Sequence, residues 1–394
     1  MVTFIPFPGF RPALKDGETV EDRISPPYDV ISAEYLEELQ SKPNNITKLT
    51  LDPDEDKRYR GSRKDLDAWI EDGSLVQDGK SFYIYDQTFD DGGIKKTRTG
   101  VVGLLKTEPY ENGGVIPHEE TFSKVKADRL NLLRDMEAHL ESIFGIHDSF
   151  DKELYRKIKD HSKLVYEYVD EEGVEHRYSV LDDEKICNEI TSSMEEQKVL
   201  IADGHHRYET ALAYSQENPG DEKKSYVLAT LVATEDPGLV IWPTHRLVKT
   251  DSISEKNAIN KIAKSIKLQE CTEKDMLNGL SGWMMGLRFR SGKTYLGRYE
   301  GGKGLLALDT YVVQEKILKD VYKWDEDKAV VDYDPSILSS ISKIDDGQYD
   351  LAILLNDPRL RDIWGLSAEG KRMPKKSTFF FPKIWSGFVI YRMV

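Results

Sequence analysis

Residues 199–211 read Val-Leu-Ile-Ala-Asp-Gly-His-His-Arg-Tyr-Glu-Thr-Ala. The apolar run 199–202 has the length of a short buried strand. Asp203-Gly204 interrupts it, and residues 207–214 open a helix with apolar Ala211, Leu212 and Tyr214. A strand, a glycine turn and a helix start gather unsatisfied backbone N–H groups at one point, where the helix dipole is positive. Such a point attracts anions. Gly204, His205, His206 and Arg207 are therefore candidate phosphate-binding residues, Arg207 because a guanidinium grips two phosphate oxygens at once. Asp203, beside the turn, is a candidate magnesium ligand or proton acceptor. A plainer reading makes Asp203 the helix cap and the histidines surface residues.

Composition sets outer limits. With 394 residues the chain can bury a large core, in two domains or in one with substantial insertions. Charged residues make up 32% and aromatics 10%, the proportions of a folded protein and not of a disordered one. A formal net charge of −15 argues against backbone-driven DNA binding, which needs a basic face, so no nucleic-acid partner is expected. A locally positive pocket for a small phosphate is compatible with that charge. Cys187 and Cys271 have neither disulfide-framework nor zinc-site spacing. The N-terminus lacks the basic and long apolar segments of a signal peptide, and no run approaches the roughly 20 apolar residues of a membrane span. A cytoplasmic protein without a membrane partner is expected.

Strands and helices alternate along the chain without internal repeats. Residues 4–8 read as a first strand, and Pro26-Pro27 forces an extended loop before Tyr28-Asp29-Val30. Residues 81–89 and 99–106 read as strands joined by Asp90-Asp91-Gly92-Gly93. From 123 to 144, Leu133, Met136, Leu140 and Ile143 recur at helical spacing. Residues 226–233 and 239–242 suggest a second hairpin around Asp236-Pro237-Gly238. The polar stretch 249–255 marks the best boundary, giving a phosphate-binding catalytic region, 1–248, and a C-terminal α+β region, 249–394, packed against it. The expected fold class is α+β (mixed α/β).

A second chemical cluster is His118-Glu119-Glu120-Thr121, which follows Gly113-Gly114 and precedes the long helix. Phe122 stands where a metalloprotease would need a second histidine. His118 and Glu119 are candidate catalytic residues, Glu119 also as a magnesium ligand, although Thr121 or Ser123 capping the helix explains the segment equally well. Asp29, on a loop stiffened by two prolines, is a further candidate carboxylate or a cap for a helix near Ser32. Asp128-Arg129 reads as a ligand or as a structural ion pair, and His245-Arg246 as added positive charge or a strand end. Lys375, Lys376, Ser377, Thr378 and Lys383 surround Phe379-Phe380-Phe381, most simply a basic turn entering a buried strand, with a secondary phosphate-contacting role as the alternative.

The same residues carry resemblances. Gly204-His205-His206-Arg207-Tyr208-Glu209 resembles the Gly-Cys-His-Arg-Tyr-Glu motif of sulfiredoxin. It is more distantly similar to the Gly-Glu-Arg-Arg box with which ParB-type proteins wrap nucleotide phosphates. Arg11-Pro12, after Phe4-Ile5-Pro6-Phe7, is similar to the Arg-Pro strand near the start of sulfiredoxin, which adds Arg11 to the donor-binding candidates. His205 replaces the sulfiredoxin cysteine, so sulfinic acid reduction is not expected, whereas His206 and Arg207 match phosphate-holding positions. The implied fold is a ParB/sulfiredoxin-like core with large insertions plus the C-terminal region.

A second resemblance spans nearly the whole chain. Pro6-Phe7 with Arg11-Pro12, Pro26-Pro27-Tyr28-Asp29-Val30, His118-Glu119 with Thr121, Asp128-Arg129-Leu130, His245-Arg246, and Met373-Pro374 through Lys376-Ser377-Thr378 to Pro382-Lys383 occur in order. These phrases are similar to the prokaryotic domain-of-unknown-function 1015 family, some members of which look like free-serine kinases. The resemblance implies phosphoryl transfer from ATP, ADP or pyrophosphate, with Mg2+, to a small hydroxyl substrate, free L-serine. Two other functions compete. One is a nucleotide-binding or nucleotide-hydrolysing switch of ParB type. The other is a metal-dependent hydrolase built from His118, His205 and His206, whose ligands would lie about 2.0–2.2 Å from one metal. Glu119 and His118 are expected to face the 205–207 turn across a cleft, with Asp29 in reserve.

Overall fold

The computed structural model describes residues 2–51, 55–119 and 123–394, and of residues 29, 55–60 and 123–128 the backbone alone. It is an α+β protein of two compact units. The first comprises Met1–Pro117, Thr121–Val240 and Pro382–Val394; the second comprises His118–Glu120 and Ile241–Phe381. The division at 240/241 precedes the sequence-based boundary by eight positions, and the last strand returns to the first unit. Among the described residues no helix is long and apolar enough to cross a membrane.

The first unit is built on one large mixed sheet. Its strands in chain order are β1 (Phe4–Ile5), β2 (Phe7–Pro12), β3 (Leu75–Asp91), β4 (Ile94–Lys106) and β5 (Val115–Ile116). Next come β6 (Ala138–His139), which lies outside this sheet and pairs with Tyr391–Arg392, then β7 (Ile143–His147), β8 (Lys163–Val169), β9 (Glu175–Leu181), β10 (Val199–Asp203) and β11 (Tyr226–Ala233). The order across the sheet is β5-β10-β7-β11-β4-β3-β9-β8, with β1 on β4 and β2 on β3. Strand alternation explains its two faces. Phe82 and Ile84 pack with Val199, Ile201 and Tyr208 on one side, while Tyr83 and Tyr85 pack with Tyr178, Phe388 and Tyr391 on the other.

Two local expectations fail for a shared reason. The helix expected over 123–144 ends at Met136, because Glu137 adopts a left-handed φ of 45° and Ala138–His139 pairs with Tyr391–Arg392. Leu140 and Ile143 are buried at helical spacing yet lie outside the helix, Ile143 on β7. Likewise the hairpin expected from 226–233 and 239–242 does not form. β11 pairs with β4 and β7, and Val240–Trp242 lies in a two-stranded sheet with Phe379–Phe381. In both cases burial is legible in the sequence, and a distant pairing partner decides the element.

The second unit centres on a six-stranded antiparallel sheet. Its order is Lys267–Cys271, Thr294–Arg298, Met285–Phe289, Leu351–Leu355, His245–Lys249 and Val330–Asp334. Val248, Leu287 and Ile353 face one apolar core, and Leu247, Ala352 and Leu354 the other.

Candidate active site

The turn read from the sequence forms as a strand, a glycine and a helix. β10 is buried from Val199 to Ala202 and sits between β5, its parallel neighbour, and β7, its antiparallel one. Gly204, not Asp203, is the N-cap of the helix His205–Glu217, at φ 87° and ψ 28°. A side chain is disfavoured there for two reasons. The backbone is left-handed, and an added Cβ would stand 3.0 Å from Arg207 Nε and 3.1 Å from Ile143 Cγ2. The helix is anchored by Tyr208, buried one turn in, whose hydroxyl donates to Glu108 O at 2.8 Å and accepts from Glu108 N at 3.0 Å.

Strict alternation would send Asp203 to the same face as Val199 and Ile201. A register shift against β7 between Ile201 and Asp203 re-aims it. Its carboxylate meets two cations: Arg207 Nη2 at 2.8 Å from Oδ2, and Lys383 Nζ at 3.0 Å from Oδ1. Arg207 Nη1 also donates to Ser142 O at 2.6 Å, so the guanidinium is held at two points. Burial disfavours the Asp203 anion, but Lys383 and Arg207, with His205, outweigh it and hold the carboxyl well below the usual carboxylate range. Asp203 therefore stays ionised as a cation anchor. Its oxygens already face Lys383 and Arg207, so it does not fit the magnesium-ligand role expected of it. His205 is buried, and His206 is partly buried, with its carbonyl accepting from Thr210 Oγ1 at 2.7 Å.

Arg207 and Thr210 also form part of the wall of a cavity of about 50 Å³. Thr50, Arg129, His139 and Glu141 line it too, with leucines between them. At roughly 10–15 Å³ per enclosed water, this space holds a few waters or a molecule of a few heavy atoms. His139 is locked by a 3.0 Å contact from Nε2 to Tyr226 O and by stacking on Tyr391; burial pushes its imidazole down to about 4. Arg129 lies 4.3 Å over the Tyr28 ring, which brings the Pro26-Pro27-Tyr28-Asp29 loop beside this wall. The Asp29 backbone belongs to the 3-10 turn Tyr28–Val30, and its side chain is outside the described residues.

Arg11, on β2, is paired through Nε with both Asp78 oxygens at 2.9 Å and also reaches the Tyr166 hydroxyl. His118 and Glu119 belong to the second unit, and Thr121 is outside the described residues. His118 is buried, 3.0 Å from Thr378 Oγ1 and edge-on to Phe380. The Glu119 carboxylate accepts from the backbone N–H of Ser377 at 3.0 Å and of Lys376 at 3.4 Å, and Lys376 has a left-handed φ of 58°. These contacts make Glu119 the clasp of the 376–378 turn, a poor fit to a metal ligand. Among the described residues no group of three or more His, Cys, Asp or Glu side chains is placed to hold a metal ion. In the same unit Arg246 is buried over the Tyr333 ring.

Lys383 was singled out in the sequence only as part of a basic turn, and Glu141, which lines the cavity, was passed over. The signal for Lys383 was a lysine ending an aromatic run; its partner lies 180 positions earlier. Glu141 carried no local signal, because it was read as part of a helix.

This is an α+β protein in which a glycine turn, an arginine and a lysine surround one carboxylate beside a small cavity. A family model described as "Protein of unknown function (DUF1015)" matches residues 4–314, and the chain belongs to that family. No curated protein matches it. Among solved structures it is similar to a free serine kinase in complex with AMP, at 13% identity and a TM-score of 0.39. That similarity covers 68% of this chain and 83% of the kinase. It is also similar to a conserved hypothetical protein from Pyrococcus furiosus, at 12% identity and a TM-score of 0.38, covering 70% of this chain and 93% of that one. A third is SbnI with a C-terminal truncation, from Staphylococcus aureus, at 10% identity and a TM-score of 0.39, covering 72% and 85%.

Proposed function

We propose that this protein is a small-molecule phosphotransferase that moves the terminal phosphoryl group of ATP, ADP or pyrophosphate to a small hydroxyl substrate, free L-serine. One observation supports this reading above the others: Arg207, held at the start of a helix, also lines the small cavity. A phosphate on the turn and a small molecule in the cavity would then meet at one guanidinium. Positioning and charge neutralisation supply most of the catalysis in phosphoryl transfer.

In this reading the backbone N–H groups of the first turn of helix His205–Glu217, with His206, Arg207 and Lys383, hold the donor phosphates. Asp203 aligns the two cations. The acceptor oxygen attacks the terminal phosphorus, and the bond from phosphorus to the bridging oxygen breaks. The hydroxyl proton passes to a carboxylate. Asp29 is the candidate, because Tyr28 on its loop stacks on a residue of the cavity wall. No step is assigned to magnesium, since Asp203 and Glu119 do not fit as its ligands. The serine acceptor comes from the family resemblance.

The test is donor consumption by the purified protein, in magnesium-containing buffer, with ATP, ADP or pyrophosphate and a panel of hydroxyl amino acids. Phosphoserine formation that requires L-serine supports the reading. Donor hydrolysis at the same rate without any acceptor overturns it in favour of a nucleotide switch. Asp29→Asn should lower turnover roughly 100-fold or more with little change in donor KM, the signature of a lost proton acceptor.

A further inference from the structure

We propose that the cavity beside Arg207 receives the two charged ends of a free α-amino acid, Arg129 taking the α-carboxylate and Glu141 the α-ammonium. The placement of the amino acid's side-chain hydroxyl rests on the phosphotransferase reading; the recognition of its charged ends does not.

Arg129 and Glu141 line the same cavity, with Arg129 Nη1 3.7 Å from Glu141 Oε2. Their side chains are only 13% and 9% exposed. Two opposite charges have thus been taken largely out of water, yet this contact is longer than the roughly 2.7–3.2 Å of an N–H···O hydrogen bond. A buried pair repays its desolvation only when its geometry is good and its remaining donors and acceptors are satisfied. A ligand carrying an anion for Arg129 and a cation for Glu141 would add the close charged contacts that these two do not make with each other. In an α-amino acid those two charges sit on one carbon, so a single small molecule can meet both partners.

The surroundings narrow the ligand further. The Arg129 guanidinium carbon lies over the Tyr28 ring, 4.3 Å from its centroid, a cation–π contact that helps to hold a group able to grip a carboxylate through two N–H donors. Leu132, Leu133 and Leu140 supply apolar wall between the charges, and a volume of about 50 Å³ admits only a small side chain. Arg207 and Thr210 close another part of the wall, so a hydroxyl on that side chain would face the phosphate turn. Among amino acids, glycine, alanine and serine come nearest to this description; large or doubly charged ones do not.

Titration calorimetry of the full chain, without any phosphoryl donor, tests the inference with five probes: L-serine, L-alanine, L-phenylalanine, ethanolamine and 3-hydroxypropanoate. L-Serine and L-alanine should bind within a few fold of each other. Ethanolamine, which lacks the carboxylate, 3-hydroxypropanoate, which lacks the ammonium, and L-phenylalanine should bind at least tenfold more weakly. Glu141→Gln and Arg129→Lys should each weaken L-serine roughly ten- to hundredfold, the size of a lost charged hydrogen bond. In Glu141→Gln the preference for L-serine over 3-hydroxypropanoate should shrink, which a merely structural role would not produce. Failure of the folded protein to bind L-serine overturns the inference, as do equal affinities for serine, ethanolamine and 3-hydroxypropanoate. If a variant does not fold, the wild-type comparison among probes still decides. Amino-acid binding with these preferences but no phosphoryl transfer from any donor would keep the receptor and overturn the phosphotransferase reading.

Discussion

The Lys383 ammonium stands 3.0 Å from the Asp203 carboxylate, although 180 positions separate them in the chain. The backbone of Lys383 is itself fixed, its carbonyl accepting from Gln87 Nε2 at 2.8 Å. Asp203 is thereby bracketed by a lysine on one oxygen and an arginine on the other, and the bracket fixes where two positive charges lie relative to the helix His205–Glu217.

Replacing Lys383 should consequently weaken the binding of a phosphoryl donor more than it weakens the fold. Lys383→Met is expected to raise the dissociation constant for pyrophosphate or ADP roughly tenfold or more, the scale of one charge-assisted hydrogen bond. Lys383→Arg should recover most of it. Titration calorimetry reads both, and wild-type affinity in Lys383→Met would remove the lysine from the site.

Gly204→Ala should damage both stability and donor binding. The left-handed backbone costs about 1–2 kcal/mol for any residue with a Cβ, and the new methyl would press on the Arg207 guanidinium 3.0 Å away. Thermal melting should fall by a few degrees, with a loss of donor affinity of about tenfold, the scale of one charge-assisted hydrogen bond. A variant that binds donor normally would show that Arg207 can shift without consequence.

Asp203 and Glu119 are expected to separate into two different roles. Asp203→Asn keeps the shape and removes the charge that aligns Arg207 and Lys383, so turnover should fall about tenfold or more, and added Mg2+ or Mn2+ should not restore it. Rescue by metal would return Asp203 to the coordination role. Glu119→Gln should cost about 1 kcal/mol of stability, as its hold on the 376–378 turn loosens, and change turnover by less than about twofold. A loss of roughly 100-fold in turnover at unchanged stability would instead make Glu119 a catalytic carboxylate.

Acid should destabilise this protein through buried histidines. Burial pushes His139, His147 and His245 down from 6.5 to about 4. The unfolded chain takes up these protons near pH 6.5, whereas the folded chain does so only near pH 4. The unfolded state therefore binds more protons across that window. The stability contributed by the neutral histidines is fully present above pH 6.5 and is lost progressively as pH falls towards 4. His139→Gln keeps an N–H donor for Tyr226 O and should remove about one proton from the slope of urea-unfolding free energy against pH. An unchanged slope would show that His139 titrates normally in the folded protein.

The strand–glycine–helix turn at 199–217 is legible in the chain because its signals are local. Four apolar residues, a glycine able to take φ 87° and a helical recurrence at Tyr208, Ala211 and Tyr214 act within a few positions of one another. The hairpin of 81–89 and 99–106 is legible for the same reason, because two strand-forming runs flank a glycine turn a few positions long, although the strands extend beyond those bounds to 75–91 and 94–106. What residues 137–144 become is not written locally. Their apolar spacing suits a buried helix as well as a buried strand, and pairing of Ala138–His139 with Tyr391–Arg392 settles the matter from more than 250 positions away. The same holds for the site. Asp203, His205, His206 and Arg207 announce themselves as neighbours in one motif, while Lys383, Arg129 and Glu141 acquire meaning only when packing brings them to that motif or its cavity. Hydrophobic pattern carries burial but not partnership, because apolar contact is non-directional and many pairings bury the same surface. Charge position follows from whichever pairing wins.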